Sequence, residues 1–268
     1  MTPSASANGD APIEFFRMNP ALLRRLPAIA KRQPGKLSPK TTVLVLLALC
    51  AQAARRPRSE LTITPASGDA MASVALPIRM AEVLESLGYE RNGADFSGSA
   101  WETVGAAVKQ LTSTRVKVAF KRTGSKGLEA AYFRGALVER VDDGKMCLHG
   151  YSPPGDRYHV LIPHKVLALR PALTELGTGL VCWLYCQHRG RREGGTVKHK
   201  WSLTITPEVL VDAKILTSKN LRRAAELERM LGGFRNLEHL GLLTIEGAAW
   251  PFRVHLSPSF FHQEVRHE

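Results

Sequence analysis

The stretch from Ser97 to Arg122, SGSAWETVGAAVKQLTSTRVKVAFKR, predicts a capped helix that leads directly into a β-strand. Ser99 and Glu102 have the spacing of a capping box, in which each side chain binds a free backbone N–H at the start of a helix. The apolar residues that follow recur at helical spacing, so they would form one face of the helix. These residues are Ala100, Val104, Ala107, Val108 and Leu111.

The hydrophobic period changes at the end of this helix. Val116, Val118 and Phe120 alternate with Arg115 and Lys117, which is the pattern of a strand with one apolar and one basic face. A glycine-containing turn and a second apolar run predict that the strand returns as a hairpin. A short helix followed by a basic hairpin is the arrangement of a winged helix, where the helix lies in a DNA groove and the hairpin contacts the backbone. The alternative is a surface helix packed on an ordinary hairpin with a solvated basic face.

The composition is compatible with a nucleic-acid partner. The chain has 268 residues and a net charge of +13, and the basic residues are spread over both halves instead of forming one tail. Such an excess is the electrostatic footprint expected of a nucleic-acid-binding protein. Ribosomal proteins, some membrane-surface proteins and basic enzymes have a similar balance, so charge alone does not separate these classes.

The chain is expected to be cytoplasmic. Its four cysteines, at positions 50, 147, 182 and 186, do not resemble a secreted disulfide framework, which favours a reducing compartment. Residues 1–12 are small and polar, lack a signal-peptide pattern and predict a disordered N-terminal arm. The most apolar run, Val43–Ala54, is too short to cross a bilayer and indicates a buried core helix.

The order of predicted elements occurs twice along the chain. Each half contains a core helix, a strand, a short helix, a capped helix and a hairpin, which indicates duplication. The Pro- and Gly-rich segment 151–158, YSPPGDRY, is the predicted linker. The expected fold class is α+β, with two tandem winged-helix domains at residues 13–150 and 159–268. In the second domain, Ser218 is expected to cap a long helix that kinks or breaks at Gly232–Gly233.

Enzyme and metal motifs are not evident in the sequence. It contains neither a G-x-x-x-x-G-K-[ST] phosphate loop nor a His-x-His pair, which disfavours a P-loop nucleotide hydrolase and a rolling-circle nickase. Cys182, Cys186 and His188 lie close together, but their spacing fits no standard zinc pattern, and buried core cysteines are the preferred interpretation. We therefore expect a protein that is not an enzyme and that has no cofactor or bound metal. The rival class is an enzyme whose active site has no recognisable sequence pattern.

The run SAWETVGAAVKQLTSTRVKVAFKRTG resembles the recognition helix and wing of plasmid replication initiator proteins of the replication initiator protein A type. Trp101 matches the aromatic residue of their helix, and Leu111, Thr114 and Val116 match the Leu-x-x-Thr-x-Ile/Val step at its end. The segments GLVCWLYCQHRG and WSLTITPEVL are similar to the second-domain pattern of those proteins, so the resemblance covers about residues 38–257. It implies two tandem winged-helix domains that bind repeated origin sequences and recruit host replication proteins.

The candidate DNA-binding residues form three groups. Base contacts are expected from the helix of the first half, through Ser97, Ser99, Thr103, Lys109 and Gln110. Phosphate contacts are expected from the hairpin, through Arg115, Lys117, Lys121, Arg122 and Lys126. The predicted capped helix of the second half contributes Ser218, Lys219, Asn220, Arg222 and Arg229. For the two arginines, the alternative is a solvated face with i,i+4 pairs such as Arg222–Glu226.

The expected function is that of a sequence-specific, double-stranded DNA-binding plasmid replication initiator. Its expected partners are repeated origin sites, host replication proteins and, in a homodimer, a second copy of the chain, whereas no membrane partner is expected. A winged-helix transcriptional repressor is the alternative, and the two overlap because initiators of this kind can repress their own promoter. Direct repeats beside the gene would favour the initiator, and one palindrome would favour a dimeric repressor.

Overall fold

The computed structural model describes residues 15–31, 37–124, 127–141, 144–152, 159–188, 192–193, 196–197, 199–220 and 223–261. Several sequence-based expectations lie outside these residues: the disordered arm at 1–12, most of the linker at 151–158, Lys126 and Arg222. The backbone of Lys121 and Arg122 is described, but their side chains are not.

The described chain is a mixed helix-and-strand protein. Its helices are α1 (Pro20–Lys31), α2 (Pro39–Arg55), α3 (Met80–Ser86), α4 (Gly98–Ser113), α5 (Lys165–Ala168), α6 (Glu175–His188), α7 (Pro207–Asp212) and α8 (Ala224–His239). Its strands are β1 (Phe15–Met18), β2 (Thr62–Thr64), β3 (Ser73–Pro77), β4 (Arg91–Asn92), β5 (Asp95–Phe96), β6 (Arg115–Gly124), β7 (Gly127–Ala136), β8 (Val138–Arg140), β9 (Lys145–His149), β10 (Val160–Pro163), β11 (Arg192–Glu193), β12 (Thr196–Val197), β13 (Ser202–Ile205), β14 (Leu243–Glu246) and β15 (Phe252–Leu256). Among the described helices, none is long and apolar enough to span a membrane.

Two apolar helices, α2 and α6, lie in the core, as the sequence predicts. In α2 every residue from Thr42 to Ala53 is buried. Helix α1 packs against both α2 and α6. Its start is stabilised by Asn19, whose side-chain oxygen accepts a hydrogen bond from the Ala21 N–H at 3.0 Å. Pro27 lies inside α1 without dividing it.

Helix α8 starts later than the sequence predicts. Ser218 was expected to cap it, but Ser218–Asn220 form a separate single turn of 3₁₀ helix. The Asn220 N–H closes this turn by donating to the Thr217 carbonyl oxygen at 2.9 Å. The α-helix begins only after Arg223, whose backbone is extended. The predicted cap at Ser218 is therefore wrong, because the chain leaves helical geometry between the two segments.

The glycine pair in α8 does not break the helix, which is also a correction of the prediction. Residues 224–239 form one uninterrupted helix that packs on α6. A Cβ atom at Gly233 would lie 2.8 Å from a side-chain carbon of Leu176 and 2.9 Å from one of Leu180. Gly233 therefore permits the close approach of α8 to α6, and this packing offsets the low helix propensity of glycine.

The paired strands are antiparallel in every described sheet. Strands β2, β3, β9 and β8 form a four-stranded sheet in that order, and β6 pairs with β7 along ten residues to form a separate ribbon. In the second half, β15 lies between β13 and β14. The hairpin β14–β15 was predicted, and β13 joins it as the third strand.

Strand β1 connects the N-terminal segment to residues that follow the predicted linker. It pairs with β10, from Phe15 opposite Pro163 to Met18 opposite Val160, and Met18 also bridges to Tyr151. The buried apolar side chains of both halves belong to one connected cluster. The two halves thus share packing, and the division at 151–158 stays a prediction.

Candidate nucleic-acid interface

Helix α4 buries the face that the sequence predicts. Its buried residues are Ala100, Val104, Ala107, Val108 and Leu111, and the helix packs against α2. The other side of α4 carries Ser99, Glu102 and Lys109, which are exposed. The helix therefore presents a polar side to solvent at a position fixed by the core.

The start of α4 lies two residues before the predicted one. Ser97 is the N-cap, and its hydroxyl accepts a hydrogen bond from the Ala100 N–H at 3.3 Å. Ser99 lies inside the first turn, with its hydroxyl oxygen 3.1 Å from that of Ser97. The predicted Ser99–Glu102 capping box is wrong, because the earlier serine satisfies the free backbone N–H.

Two of the predicted base-contacting residues, Thr103 and Gln110, form hydrogen bonds with other groups of the protein. The Thr103 hydroxyl donates to the Ser99 carbonyl oxygen at 2.7 Å. The Thr42 hydroxyl donates to Gln110 Oε1 at 3.1 Å, which holds the half-buried glutamine against α2. This contact occupies the side-chain oxygen of Gln110, and the expected base contact of this residue stays a prediction. Ser99 and Lys109 remain exposed.

The ribbon of β6 and β7 has one buried and one exposed face, as the alternation predicts. Phe120 and Phe133 are only 4% and 5% exposed and belong to the core. On the other face Lys117 lies directly opposite Arg134, and Arg115 lies on the same face at the start of β6. We call Arg115, Lys117 and Arg134 the ribbon cations, and all three are exposed.

The ribbon cations lack acidic partners. Within the described part of the chain, no carboxylate forms an ion pair with any of them. Like charges directly opposite on neighbouring strands are destabilising. The exposed face of the ribbon is therefore a basic surface, and no described carboxylate forms an ion pair with its cations.

Sequence reasoning missed Arg134 and Tyr132 on the returning strand. Tyr132 is 54% exposed and lies opposite Ala119, on the same face as the ribbon cations. Exposed aromatic rings beside cations provide stacking surfaces for nucleic-acid bases. Both residues follow from the register of the hairpin, which pairs position 117 with position 134 and position 119 with position 132.

The candidate residues of the second half have different environments. Ser218, Lys219 and Asn220 form the 3₁₀ turn, and Lys219 is exposed. Arg229 donates two hydrogen bonds to Glu226 Oε2, from Nε at 3.0 Å and from Nη2 at 2.8 Å. The Glu226 carboxylate is the group that the i,i+4 spacing assigned to Arg222. In the structure it accepts hydrogen bonds from Arg229.

Cys182 and Cys186 lie in the core region of α6. Cys182 is buried, which raises the pKa of its thiol, and the Cys186 thiol donates to the Pro20 carbonyl oxygen at 3.3 Å. Over the described ranges, no three His, Cys, Asp or Glu side chains are grouped so that they could hold a metal ion.

A thiol–imidazole–carboxylate cluster lies on the four-stranded sheet. Cys147 Sγ is 3.9 Å from His149 Nε2, and Glu139 Oε2 is 3.5 Å from the same nitrogen. Burial raises the pKa of Cys147, but hydrogen bonds with His149 and Ser73 outweigh burial and leave this pKa below its ordinary value. Burial lowers the pKa of His149, but its interactions with Cys147 and Glu139 raise it overall. Cys147 and His149 therefore each stabilise the charged form of the other.

Comparisons of the chain with protein-family models, curated proteins and solved structures found no match.

Proposed function

We propose that this protein is a cytoplasmic, sequence-specific double-stranded DNA-binding protein that acts as a plasmid replication initiator with two tandem winged-helix domains. The observation that carries the proposal is the row of ribbon cations directly after α4. These cations are exposed and have no acidic partner in the described chain. Exposed lysine and arginine side chains bind DNA phosphates and release their counterions, which supplies much of the affinity for DNA.

The order of elements supports the winged-helix part of the proposal. In the second half, α6 is followed by the short strands β11 and β12 and then by β13, α7, α8 and the hairpin β14–β15, with β15 in the middle of the sheet. The first half has the order α2, β2, β3, α3, β4, β5, α4 and β6–β7, and its hairpin pairs with no third described strand. In helix-turn-helix proteins, the second helix of the pair lies in the major groove. Helices α4 and α8 are the proposed recognition helices on this basis.

The helix and the ribbon of the first half have separate proposed roles. The ribbon cations contact phosphates, which sets the position of the protein on the duplex but carries no sequence information. Ser99 and Lys109 on α4 contact base edges, and Glu102 on the same exposed side accepts a hydrogen bond from a cytosine amino group. The side-chain oxygen of the half-buried Gln110 accepts a hydrogen bond from Thr42, so its amide N–H groups are what this residue can offer to a base edge. The bound protein recruits host replication proteins without processing DNA itself.

Selection of duplexes from a random-sequence pool by the full chain tests the proposal. An enriched site that also occurs as direct repeats beside the gene supports the initiator. Enrichment of one palindrome there would instead identify a dimeric repressor. If the pool yields no enriched sequence, the proposed sequence-specific binding is wrong.

Variants on the selected site separate the two roles. Lys109→Ala is expected to reduce the discrimination between the selected site and random DNA by about 1–3 kcal/mol. Lys117→Ala combined with Arg134→Ala should weaken binding to both DNAs by similar factors. Arg58→Ala is the matched control, because it removes an exposed cation outside α4 and the ribbon. If the control weakens binding as much as the ribbon variant, the ribbon is not the phosphate-contacting surface.

A further inference from the structure

A cavity of about 470 Å³ lies between elements of the two halves of the chain. Its walls come from α1, α2 and α6, from Ala119 of β6, from the end of α7 and the turn after it, and from α8. This volume is within the range of small-molecule sites, roughly 300–1,000 Å³. No residue of α4 lines the cavity, and Ala119 lies on the ribbon face that carries the ribbon cations.

One part of the cavity lining is apolar. Val43, Leu176, Ile215 and Trp183 line it, and Trp183 is only 3% exposed. Gly179 lies four residues before Trp183 on the same side of α6 and adds no side chain. A flat apolar group can therefore lie against this wall.

The rest of the lining is strongly basic. It has five cationic side chains and only two carboxylates, Glu175 and Asp212; the cations are Arg24, Arg25, Lys40, Lys214 and Arg229. Arg229 is paired with Glu226, and Lys40 Nζ donates to the carbonyl oxygens of Arg170 and Leu173 at 2.9 and 2.6 Å. Across the ranges described above, Arg24, Arg25 and Lys214 have no ion-pair partner.

The three cations without an ion-pair partner, Arg24, Arg25 and Lys214, are exposed side chains, whereas Lys40 is partly buried. Partial burial, together with the nearby charge of Arg170, lowers the pKa of Lys40. The backbone of Lys214 has a φ of 60°, which is uncommon for a residue other than glycine or asparagine. The turn after α7 thus carries a cation at a position where its backbone conformation would favour a smaller residue.

We propose that this cavity binds a nucleoside polyphosphate such as ATP. The base lies against the apolar wall near Trp183, and arginine side chains bind the phosphates in the geometry they favour for oxyanions. Glu175 and Asp212 accept hydrogen bonds from the ribose hydroxyls, a role that acidic residues have in other nucleotide sites. The ligand binds without hydrolysis, and the sequence has no P-loop. This proposal does not depend on DNA binding.

Isothermal titration of the full chain with ATP, in the absence of DNA, tests the proposal. Inorganic triphosphate and adenosine are separate probes, and each should bind about tenfold more weakly than ATP or worse, because each makes only part of the contacts. Arg24→Ala combined with Arg25→Ala should weaken ATP binding by about tenfold or more. Lys214→Asn should also weaken ATP binding, because it removes a cation from the lining. Asparagine is chosen because it tolerates the positive φ of this position.

Arg235→Ala is the matched control, because Arg235 is exposed on α8 and does not line the cavity. It should change the affinity for ATP by less than about twofold, and thermal melting should show that every variant is folded. The proposal is overturned if ATP does not bind, if triphosphate binds as tightly as ATP, or if the control loses as much affinity as the cavity variants. ATP binding without DNA binding would leave this site standing and reject the proposed function.

Discussion

At the scale of single residues, the start of α4 depends on which of two nearby serines is the cap. Both Ser97 and Ser99 fit a cap in the sequence, since each precedes the apolar helix face. The extended backbone of Ser97, with φ −61° and ψ 147°, and the hydrogen bond that its hydroxyl accepts from the Ala100 N–H distinguish them. The existence of the helix and its buried face could be predicted from local spacing. The exact cap could not, because it depends on how the preceding loop enters the helix.

Replacement of the two serines tests this assignment. Ser97→Ala is expected to lower the free energy of unfolding by about 1 kcal/mol, because it leaves a helix N–H unsatisfied. Ser99→Ala is the control and should cost less, since Ser99 lies within the first turn and does not provide the cap. Urea denaturation measures both. A larger loss of stability in Ser99→Ala than in Ser97→Ala would instead support Ser99 as the cap, as in the predicted capping box.

Cys147 is expected to be the reactive thiol among the cysteines whose pKa is described. Its lowered pKa means that the thiolate persists to lower pH than in an ordinary cysteine, and the thiolate is the reactive form. Burial raises the pKa of Cys50 to about 12, so that thiol stays protonated. Alkylation by iodoacetamide at pH 7, followed by mass spectrometry, should label Cys147 about tenfold faster than Cys50 or more.

His149 is expected to set the pH dependence of this reactivity, because it lowers the pKa of the Cys147 thiol. In His149→Ala, the alkylation rate of Cys147 should rise only at higher pH, because the partner that stabilises the thiolate is absent. Labelling in urea, where the folded environment is lost, is the control. An unchanged pH profile in the folded variant would show that His149 does not set the thiol pKa.

At the scale of elements, the two glycines of α8 provide a matched pair. Gly233→Ala should destabilise the protein by about 1–3 kcal/mol, because the added methyl group meets Leu176 and Leu180. A methyl group added at Gly232 would meet no described part of the chain beyond its own helix within 4 Å, so Gly232→Ala should stabilise the helix by up to about 1 kcal/mol. Thermal melting of both variants decides this. If both stabilise the protein, α8 does not pack closely on α6.

The ribbon shows which features of an element can be predicted from sequence. The alternation in β6 is local, so its apolar and basic faces were predicted. The pairing of Lys117 with Arg134 depends on register across the hairpin. The sequence therefore indicated the cations of β6 but not Arg134 on β7. The contact between Thr42 and Gln110 joins residues 68 positions apart. No local pattern contains such a contact, so the sequence did not indicate that Gln110 is hydrogen-bonded to α2.

At the scale of the whole molecule, long-range packing joins segments that the sequence places in separate units. β1 pairs with β10 on the far side of the predicted linker. The sequence predicts both core helices because their apolar runs are long, but it contains no signal for this pairing. The cavity likewise depends on how the helices of the two halves meet, and so do the positions of Arg24 and Lys214 around it.

If the ribbon cations contact DNA phosphates, the affinity for duplex DNA must depend steeply on salt concentration. For the wild-type protein, the logarithm of the association constant should fall steeply with the logarithm of salt concentration, by about 0.9 for each neutralised phosphate. Lys117→Ala combined with Arg134→Ala should make this slope shallower by about 1.8, since two phosphate contacts are lost. A flat wild-type slope, or an unchanged slope in the double variant, would contradict the account.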